Sequence, residues 1–456
     1  MNSLGSLTKM PRASCLLQTE SLSAKEAPST RLEHTVVREG AALVRHVRAG
    51  AYEGVSRIDL CDLPGGILDE SPGKAWLLAM LRGANPSFAD SRGRSIRSVD
   101  LFCGPGGFSA GLSAAAAAVG LELRVEACVD TDQSALQVFR RNHAPRLSFS
   151  DNADALVDFG LRFDADTTGL AYPPMLMIPA LSDLRGRIDL VVGGPPCQGH
   201  SNLNNRTRRI DPRNMLYLTV AAIGVALEAP VIIIENVPSV LADSNHVVDK
   251  ARSLLAVAGY RVDATLLEAD RFGAAQQRKR HFLMATRNAA VPLSSISSQL
   301  DFPVLTALDA INDLVDIAPE SLFDQPNELS EENRARIDYM FDHGVYNLPD
   351  EIRPDCHKNG HTYPSVYGRM YPDRPAQTIT GGFLTPGRGR FVHPTERRAL
   401  TPREGARLQG FSDAYAFERA DGVALYRKDF AKLIGDAVPP PLAFAVALAA
   451  ITSLAG

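Results

Sequence analysis

The stretch "SVDLFCGPGGFSAGL", Ser98–Leu112, decides how this chain folds. A short apolar strand breaks into a glycine-rich turn, then into small residues compatible with a helix. The glycines let the backbone turn tightly off the strand, and the following helix offers its unpaired N-terminal amides to a ligand. The spacing is not the dinucleotide fingerprint: Gly104 and Gly106 fit, but the third glycine position holds Ser109. A purely structural turn is the alternative at this point.

Outward from that turn the pattern repeats as far as Arg287. The apolar segments "SVDLF", "LRVEACVD", "IDLVVGG" and "VIIIENV" alternate with "FSAGLSAAAAAVG", "SALQVFRRNH", "MLYLTVAAIGVALEA" and "VVDKARSLLAVAGY". Strands alternating with helices at this spacing predict an α/β fold, a doubly wound, mostly parallel sheet with helices on both faces. Ligands of such sheets bind beyond the carboxyl ends of the strands, so function is expected at the strand-to-loop junctions. After Asn288 the alternation stops and Pro, Gly and Asp become frequent, which marks a second, smaller domain. "PPLAFAVALAAITSLAG" then reads as a closing helix, while residues 1–94 carry no recognisable chemistry.

At 456 residues, 45% hydrophobic and 22% charged, the chain has room for two or three domains of ordinary soluble composition. No uninterrupted apolar stretch reads as long enough to span a bilayer. "MNSLGSLTKMPRASCLLQTE" lacks the apolar core of a secretory leader, so a cytoplasmic protein with no membrane partner is expected. Six scattered cysteines with no Cys-x-x-Cys argue against a disulfide framework and against a metal site. The net charge of −4 hides an asymmetry. Asp301–Asp350 holds twelve acidic residues against two arginines, and Glu351–Arg403 nine basic against four acidic. The basic segment could follow a phosphate backbone or be a solvated surface loop.

Four junctions carry the chemistry. Beyond the first glycine turn, Asp130 closes the strand of "EACVDTD", where a carboxylate suits a ribose diol; Asp132 reads more plainly as a helix N-cap. Together they suggest an adenosine-containing cofactor with no pyrophosphate. In "VVGGPPCQGHS", Val191–Ser201, two glycines and two prolines end a strand and present Cys197 beyond it. Arg206, Arg208, Arg209 and Arg213 follow, and nearby cations favour a nucleophilic thiolate over a buried structural thiol. Glu235 in "VIIIENVP" stands at the mouth of a buried strand, where desolvation can keep a carboxyl protonated and make it an acid. In "FGAAQQRKRHF", Gln276, Arg278 and Arg280 alternate onto one face of a strand, ready to grip a nucleic-acid backbone or a carbonyl oxygen.

With these residues assembled, the chain resembles the cytosine-5 DNA methyltransferases of bacterial or phage type, from about Val99 to the C-terminus and in the family's motif order. "DLFCGPGG" resembles the S-adenosylmethionine loop, "GGPPCQGHS" the Pro-Cys nucleophile loop, "ENV" the catalytic glutamate motif and "QQRKR" the Gln-x-Arg-x-Arg motif. "RALTPREGARLQGF" and "GDAVPPPLA" match the two closing motifs. The resemblance implies methyl transfer from S-adenosylmethionine to carbon 5 of a flipped-out cytosine in a specific duplex sequence. It makes Cys197, Glu235, Arg278 and Arg280 catalytic, with Arg278 holding the base's exocyclic oxygen. It assigns Phe102, Gly104, Gly106, Gly107, Asp130, Thr131, Asp183, Leu184, Pro196, Leu216, Asp436 and Val438 to the cofactor. DNA contacts fall to Gln198, Ser201, Arg206, Arg209, Gln276, Thr378, Arg388 and Arg390.

The implied domains are an N-terminal extension, 1–94; a catalytic domain, 95–288, completed by 425–456; and a target-recognition domain, 289–424. The implied partners are double-stranded DNA and a cognate restriction endonuclease acting on the same site, with the enzyme itself a monomer. Asp436 departs from the family's asparagine, Ala275 and Ser412 replace prolines, and the stretch from His143 to Asp183 is long. Two other readings use the same scaffold. The basic segment before Arg398 counts against an RNA methyltransferase, and intact Cys197, Glu235 and Arg278 count against a non-catalytic DNA-binding module.

Overall fold

The computed structural model describes residues 31–63, 67, 70–88, 93–164, 167–196, 215–358 and 365–455. Its first strands, β1 (Leu32–Glu39), β2 (Ala42–Ala49) and β3 (Tyr52–Asp59), form an antiparallel meander edged by Ser87–Phe88, with α1 (Pro72–Leu81) between β3 and that edge. The central sheet follows. In chain order it comprises β4 (Ser95–Leu101), α2 (Gly107–Ala118), β5 (Glu122–Val129), α3 (Gln133–His143) and β6 (Leu147–Phe149). Then come β7 (Leu190–Gly193), α4 (Leu216–Ala226), β8 (Val231–Asn236), α5 (Val247–Val257), β9 (Arg261–Glu268) and β10 (Lys279–Thr286). The seven strands lie in the order β9-β10-β8-β7-β4-β5-β6. Only β10 opposes its neighbours; the other pairs are parallel. The mostly parallel sheet expected from the alternation is there.

The apolar runs explain the two layers. Successive strand residues face opposite sides, so a strand covered on both faces must be apolar throughout. Leu190, Val192, Val231 and Ile233 accordingly join the core under α2 and the closing helix, α9 (Pro440–Thr452). Val191, Ile232 and Ile234 join the opposite core, under α4 and α5. The most extensive helix contact among the described residues is between α2 and α9. A Cβ at Gly111 would collide with the Cβ of Ala443 and the carbonyl of Pro440, so only glycine allows that approach. Arg427–Leu454 is long and apolar enough by composition to cross a membrane, yet its apolar window is 78% buried inside the protein, as a core helix is.

Residues 31–88 are not a loose appendage. Leu32, Val47, Ala49 and Tyr52 belong to the core that holds α2 and α9. The Leu32 amide donates to Gln299 Oε1 at 2.9 Å, and the Tyr52 hydroxyl to the Leu454 carbonyl at 3.2 Å. The long stretch after His143 contains two short antiparallel pairings, Leu161–Asp164 with Thr167–Leu170 and Val157–Asp158 with Met175–Leu176. Residues 289–424 contain little regular structure beyond a helix, α6 (Glu331–Asp342), a two-residue strand, Ala376–Gln377, and α7 (Pro402–Gln409). Ala376–Gln377 pairs in parallel with Gln276–Gln277 and so ties this region to the sheet. The helix α8 (Arg427–Asp436) then leads into α9.

Candidate active site

Leu101, Gly193 and Ile234 are register partners across β4, β7 and β8, so the loops that follow them leave the same edge of the sheet. On one side lies the glycine loop. Phe102 sits at φ 56°, a left-handed conformation a non-glycine residue rarely takes. The Gly104 amide donates to Asp130 Oδ2 at 2.8 Å, and the Asp132 amide to Asp130 Oδ1 at 2.8 Å. Burial raises the Asp130 carboxyl above its ordinary pKa despite these bonds. Asp132 caps α3 through the amides of Ser134 and Ala135, as its sequence position predicts, and also pairs with Lys432.

Two side chains distant in sequence grip the loop. The Tyr415 hydroxyl donates to the Pro105 carbonyl at 2.5 Å, and His143 Nε2 lies 3.0 Å from that hydroxyl and 3.2 Å from the Gly106 carbonyl. Burial lowers the His143 pKa to about 4, so the ring is neutral near pH 7 and donates from one nitrogen. At Gly106, φ is 104°, and a Cβ would lie 2.5 Å from the Tyr415 hydroxyl; glycine is required there. Val438 joins the two sides. Its carbonyl fills the space a Cβ on Gly107 would need, and its Cγ2 lies 3.5 Å from a Cβ built on Gly194.

Around this edge Thr131, Asp183 and Asp436 are exposed, Leu216 and Pro196 half-buried, and Leu184 buried in the core. Residues 102–107 carry no cation to hold a phosphate, whereas Asp130, Asp183 and Asp436 are acidic. That donor set fits a nucleoside with positive charge, as in S-adenosylmethionine.

On the other side stands Glu235, 7% exposed. Arg280 Nε lies 3.0 Å from its Oε1, and its Oε2 is 3.3 Å from a Cβ built on Gly194. Burial raises the Glu235 pKa and outweighs the opposing pull of Arg280 and Arg278. The carboxyl is therefore biased toward its protonated form directly beside the glycine-proline loop. Asn236, buried, donates from Nδ2 to the Pro195 carbonyl at 3.2 Å and thereby ties the glutamate turn to that loop. Cys197, Gln198, Ser201, Arg206 and Arg209 lie outside the described residues.

Three expected contacts need correction. The Arg278 guanidinium, expected on the base, donates to the carbonyls of Ile379 at 2.6 Å, Gly435 at 3.0 Å and Ala437 at 3.2 Å. Gln276, expected on DNA, is fully buried; it receives the Ile379 amide at 3.0 Å and donates to the Leu408 carbonyl at 3.1 Å and to Gln409. Arg390, also expected on DNA, is 6% exposed and donates to the carbonyls of Tyr346 and Arg369 and to Asn347 Oδ1. The physical reason is shared. Each side chain satisfies backbone groups that no strand ladder reaches. Arg388 is exposed, and the half-buried Thr378 donates its hydroxyl to the Gln277 carbonyl at 2.7 Å. Asn236, His143, Tyr415 and Gln409 escaped the sequence reading. Of these only Asn236 had a signal, its place directly after Glu235.

A mostly parallel sheet with a glycine loop, a strand-end acid and a buried glutamate at one edge defines a methyltransferase fold. A solved structure of a prophage-encoded DNA modification methyltransferase from E. coli supports that class, with a TM-score of 0.52 at 21% identity, covering 79% of this chain and all of that one. The C-5 cytosine-specific DNA methylase family matches residues 96–452, and the chain belongs to it. Type II methyltransferase M1.BsuMI of Bacillus subtilis is 35% identical over 415 residues, 90% of this chain and 93% of that protein. Type II methylase M.HgiDII of Herpetosiphon aurantiacus is 29% identical over 359 residues, 76% of this chain and 93% of that one. The chain is thus a DNA (cytosine-5)-methyltransferase, an enzyme that uses S-adenosylmethionine.

Proposed function

We propose that Cys197 and Glu235 perform the transfer together on a cytosine rotated out of duplex DNA, since the base's ring carbons are unreachable inside the stack. The observation that carries this reading is the buried Glu235 carboxyl, held by Arg280 with one oxygen turned toward Gly194, three residues before Cys197. Cytosine carbon 5 is a weak nucleophile. Addition of the Cys197 thiolate to carbon 6 forms a carbon–sulfur bond and moves the ring's π electrons toward nitrogen 3, which takes the Glu235 proton. Carbon 5 is then an enamine carbon able to accept a methyl group, which S-adenosylmethionine supplies when bound. The carbon 5 hydrogen leaves as a proton to a base, and its electron pair re-forms the 5,6 double bond. Cys197 thiolate departs, and nitrogen 3 returns its proton to Glu235.

Arg280 orients the glutamate, Asn236 sets the loop against it, and Arg278 with Gln276 braces the closing motif instead of touching the base. Asp130, Phe102, the glycine loop and Val438 hold the cofactor. Residues 289–424 recognise the target sequence, and Arg388 and Thr378 are their candidates for DNA contact. The type II names of the two relatives support a modification methylase, alone or beside a restriction endonuclease of the same specificity; a cytoplasmic monomer is part of the same proposal.

The test is covalent trapping. Wild-type enzyme mixed with duplex DNA carrying 5-fluorocytosine at the target should form a stable adduct, because fluorine does not leave as a proton does. Cys197→Ser should form none and should not methylate, while still binding DNA and cofactor. Methylation by the serine variant at a rate comparable to wild type would sink the assignment.

A further inference from the structure

We propose that the cleft between α1, α2 and α9 is a binding site for a small organic carboxylate with a flat apolar body, received by Arg45. The cleft has a volume of about 450 Å³, opens to solvent past Ser113 and Ala114 of α2 and Ala414, and is lined at one end by His143 and Tyr415, which hold the glycine loop. Arg45 is 6% exposed and lines it. No carboxylate pairs with this guanidinium among the described residues; its hydrogen bond runs from Nε to Ser56 Oγ at 3.1 Å. A buried cation without a counter-ion is costly. The rings of Trp76 and Phe444, centred 4.7 and 5.8 Å from the guanidinium carbon, offset part of that cost but offer no oxygen to the terminal N–H groups.

Trp76 lends its ring to the same space, with its Nε1 shielded from solvent. Trp76 is 1% exposed, also lines the cleft, and its Nε1 has no hydrogen-bond partner among the described residues. The remaining walls include Met80 and Phe302, which suit an apolar ring. Burial brings the Arg45 pKa down to about 10, so it stays charged near neutrality, whereas burial holds His34 and His143 at about 3 and about 4, and therefore neutral. One positive charge with a forked donor matches one carboxylate; a phosphate dianion would call for more cations than the cleft holds.

The chain's single tryptophan is Trp76, so its fluorescence reports on this site alone. Titrating the full-length enzyme with 3-phenylpropionate should change the emission saturably, with affinity at least about tenfold better than for neutral 3-phenylpropionamide. Arg45→Met should erase that preference. Ala114→Phe, at the exposed mouth, should weaken both ligands while leaving methyl transfer unchanged. Equal affinity of acid and amide, or no saturable change, overturns the proposal, and that comparison needs no variant should Arg45→Met fail to fold.

Discussion

In the sheet half, backbone carbonyls find their partners in neighbouring strands; in residues 289–424 many find them in arginine side chains. Arg390 bonds two carbonyls and an asparagine, and Arg369 donates to the Pro394 carbonyl while lying 3.9 Å over the Phe341 ring. Arg407 holds the Ala310 carbonyl and the carboxylates of Asp313 and Asp413. A region with few strands still has to satisfy its buried backbone, and a guanidinium brings five donors to the task. The sheet half can therefore leave its polar side chains free for an edge where chemistry happens. The lesson concerns charge. The basic count of Glu351–Arg403 can be read in the sequence as a DNA footprint or a solvated loop, but part of it is internal scaffolding, and Arg374, Arg388 and Arg397 are its exposed remainder.

The comparison is tested most severely at Glu235. If its role is chemical, Glu235→Gln should lower kcat by roughly 10²–10⁴-fold with cofactor binding unchanged, measured by single-turnover methyl transfer. A loss of folding without a specific kcat effect would make it scaffolding like Arg390.

Asp100 comes next, because it is the sheet half's own buried carboxyl. It is 1% exposed and accepts the Ser109 hydroxyl at 2.6 Å; burial, with a smaller push from Asp130, raises its pKa to about 7. Unfolded, an aspartate loses its proton near pH 4. Between about pH 4 and pH 7 the folded chain therefore holds a proton that the unfolded chain has lost, and stability falls as pH rises through that window. Asp100→Asn removes the dependence. Urea unfolding should show the variant gaining on wild type from pH 4 to pH 8, by up to roughly 4 kcal/mol, the linkage for about three pKa units. A gap that stays constant with pH would mean the carboxyl is ionised throughout.

The two arginines two residues apart then separate scaffold from interface. Arg390→Ala should cost about 2–3 kcal/mol of stability by orphaning two buried carbonyls. Arg388→Ala should leave thermal unfolding unmoved, weaken DNA binding and lower the salt slope by about 1. A swap of these outcomes would reverse the reading of the region.

The smallest effect is expected at Asp436, exposed at the end of α8. Against a cofactor of positive charge its carboxylate is tolerable, so Asp436→Asn should change S-adenosylmethionine affinity by less than about tenfold, or roughly 1.4 kcal/mol, in a calorimetric titration. A hundredfold tightening would show that this chain is a weak cofactor binder.

How much of this the sequence discloses follows from the same contrast. Ile232–Ile234 can be read as a strand because burial on both faces leaves a run of apolar residues, and Glu235 stands out because that run ends in it. Alternation also predicts one face for Gln276, Arg278 and Arg280, but a periodicity cannot say what packs against that face. The Ile379 amide meets Gln276, and the Ile379 and Ala437 carbonyls meet Arg278, which no pattern discloses. The meander β1–β3 shows no recognisable chemistry in the sequence, and only the structure sets it against α2 and α9.

The hydroxyl of Tyr415 and the Pro105 carbonyl it holds are 310 residues apart along the chain. Synthesis on a ribosome delivers the glycine loop early and its clasp late. The cofactor edge of a nascent chain thus stays unclasped until α9 has emerged and packed on α2. A polypeptide cut between Glu235 and Tyr415 would carry Cys197 and Glu235 yet lack this clasp on the glycine loop.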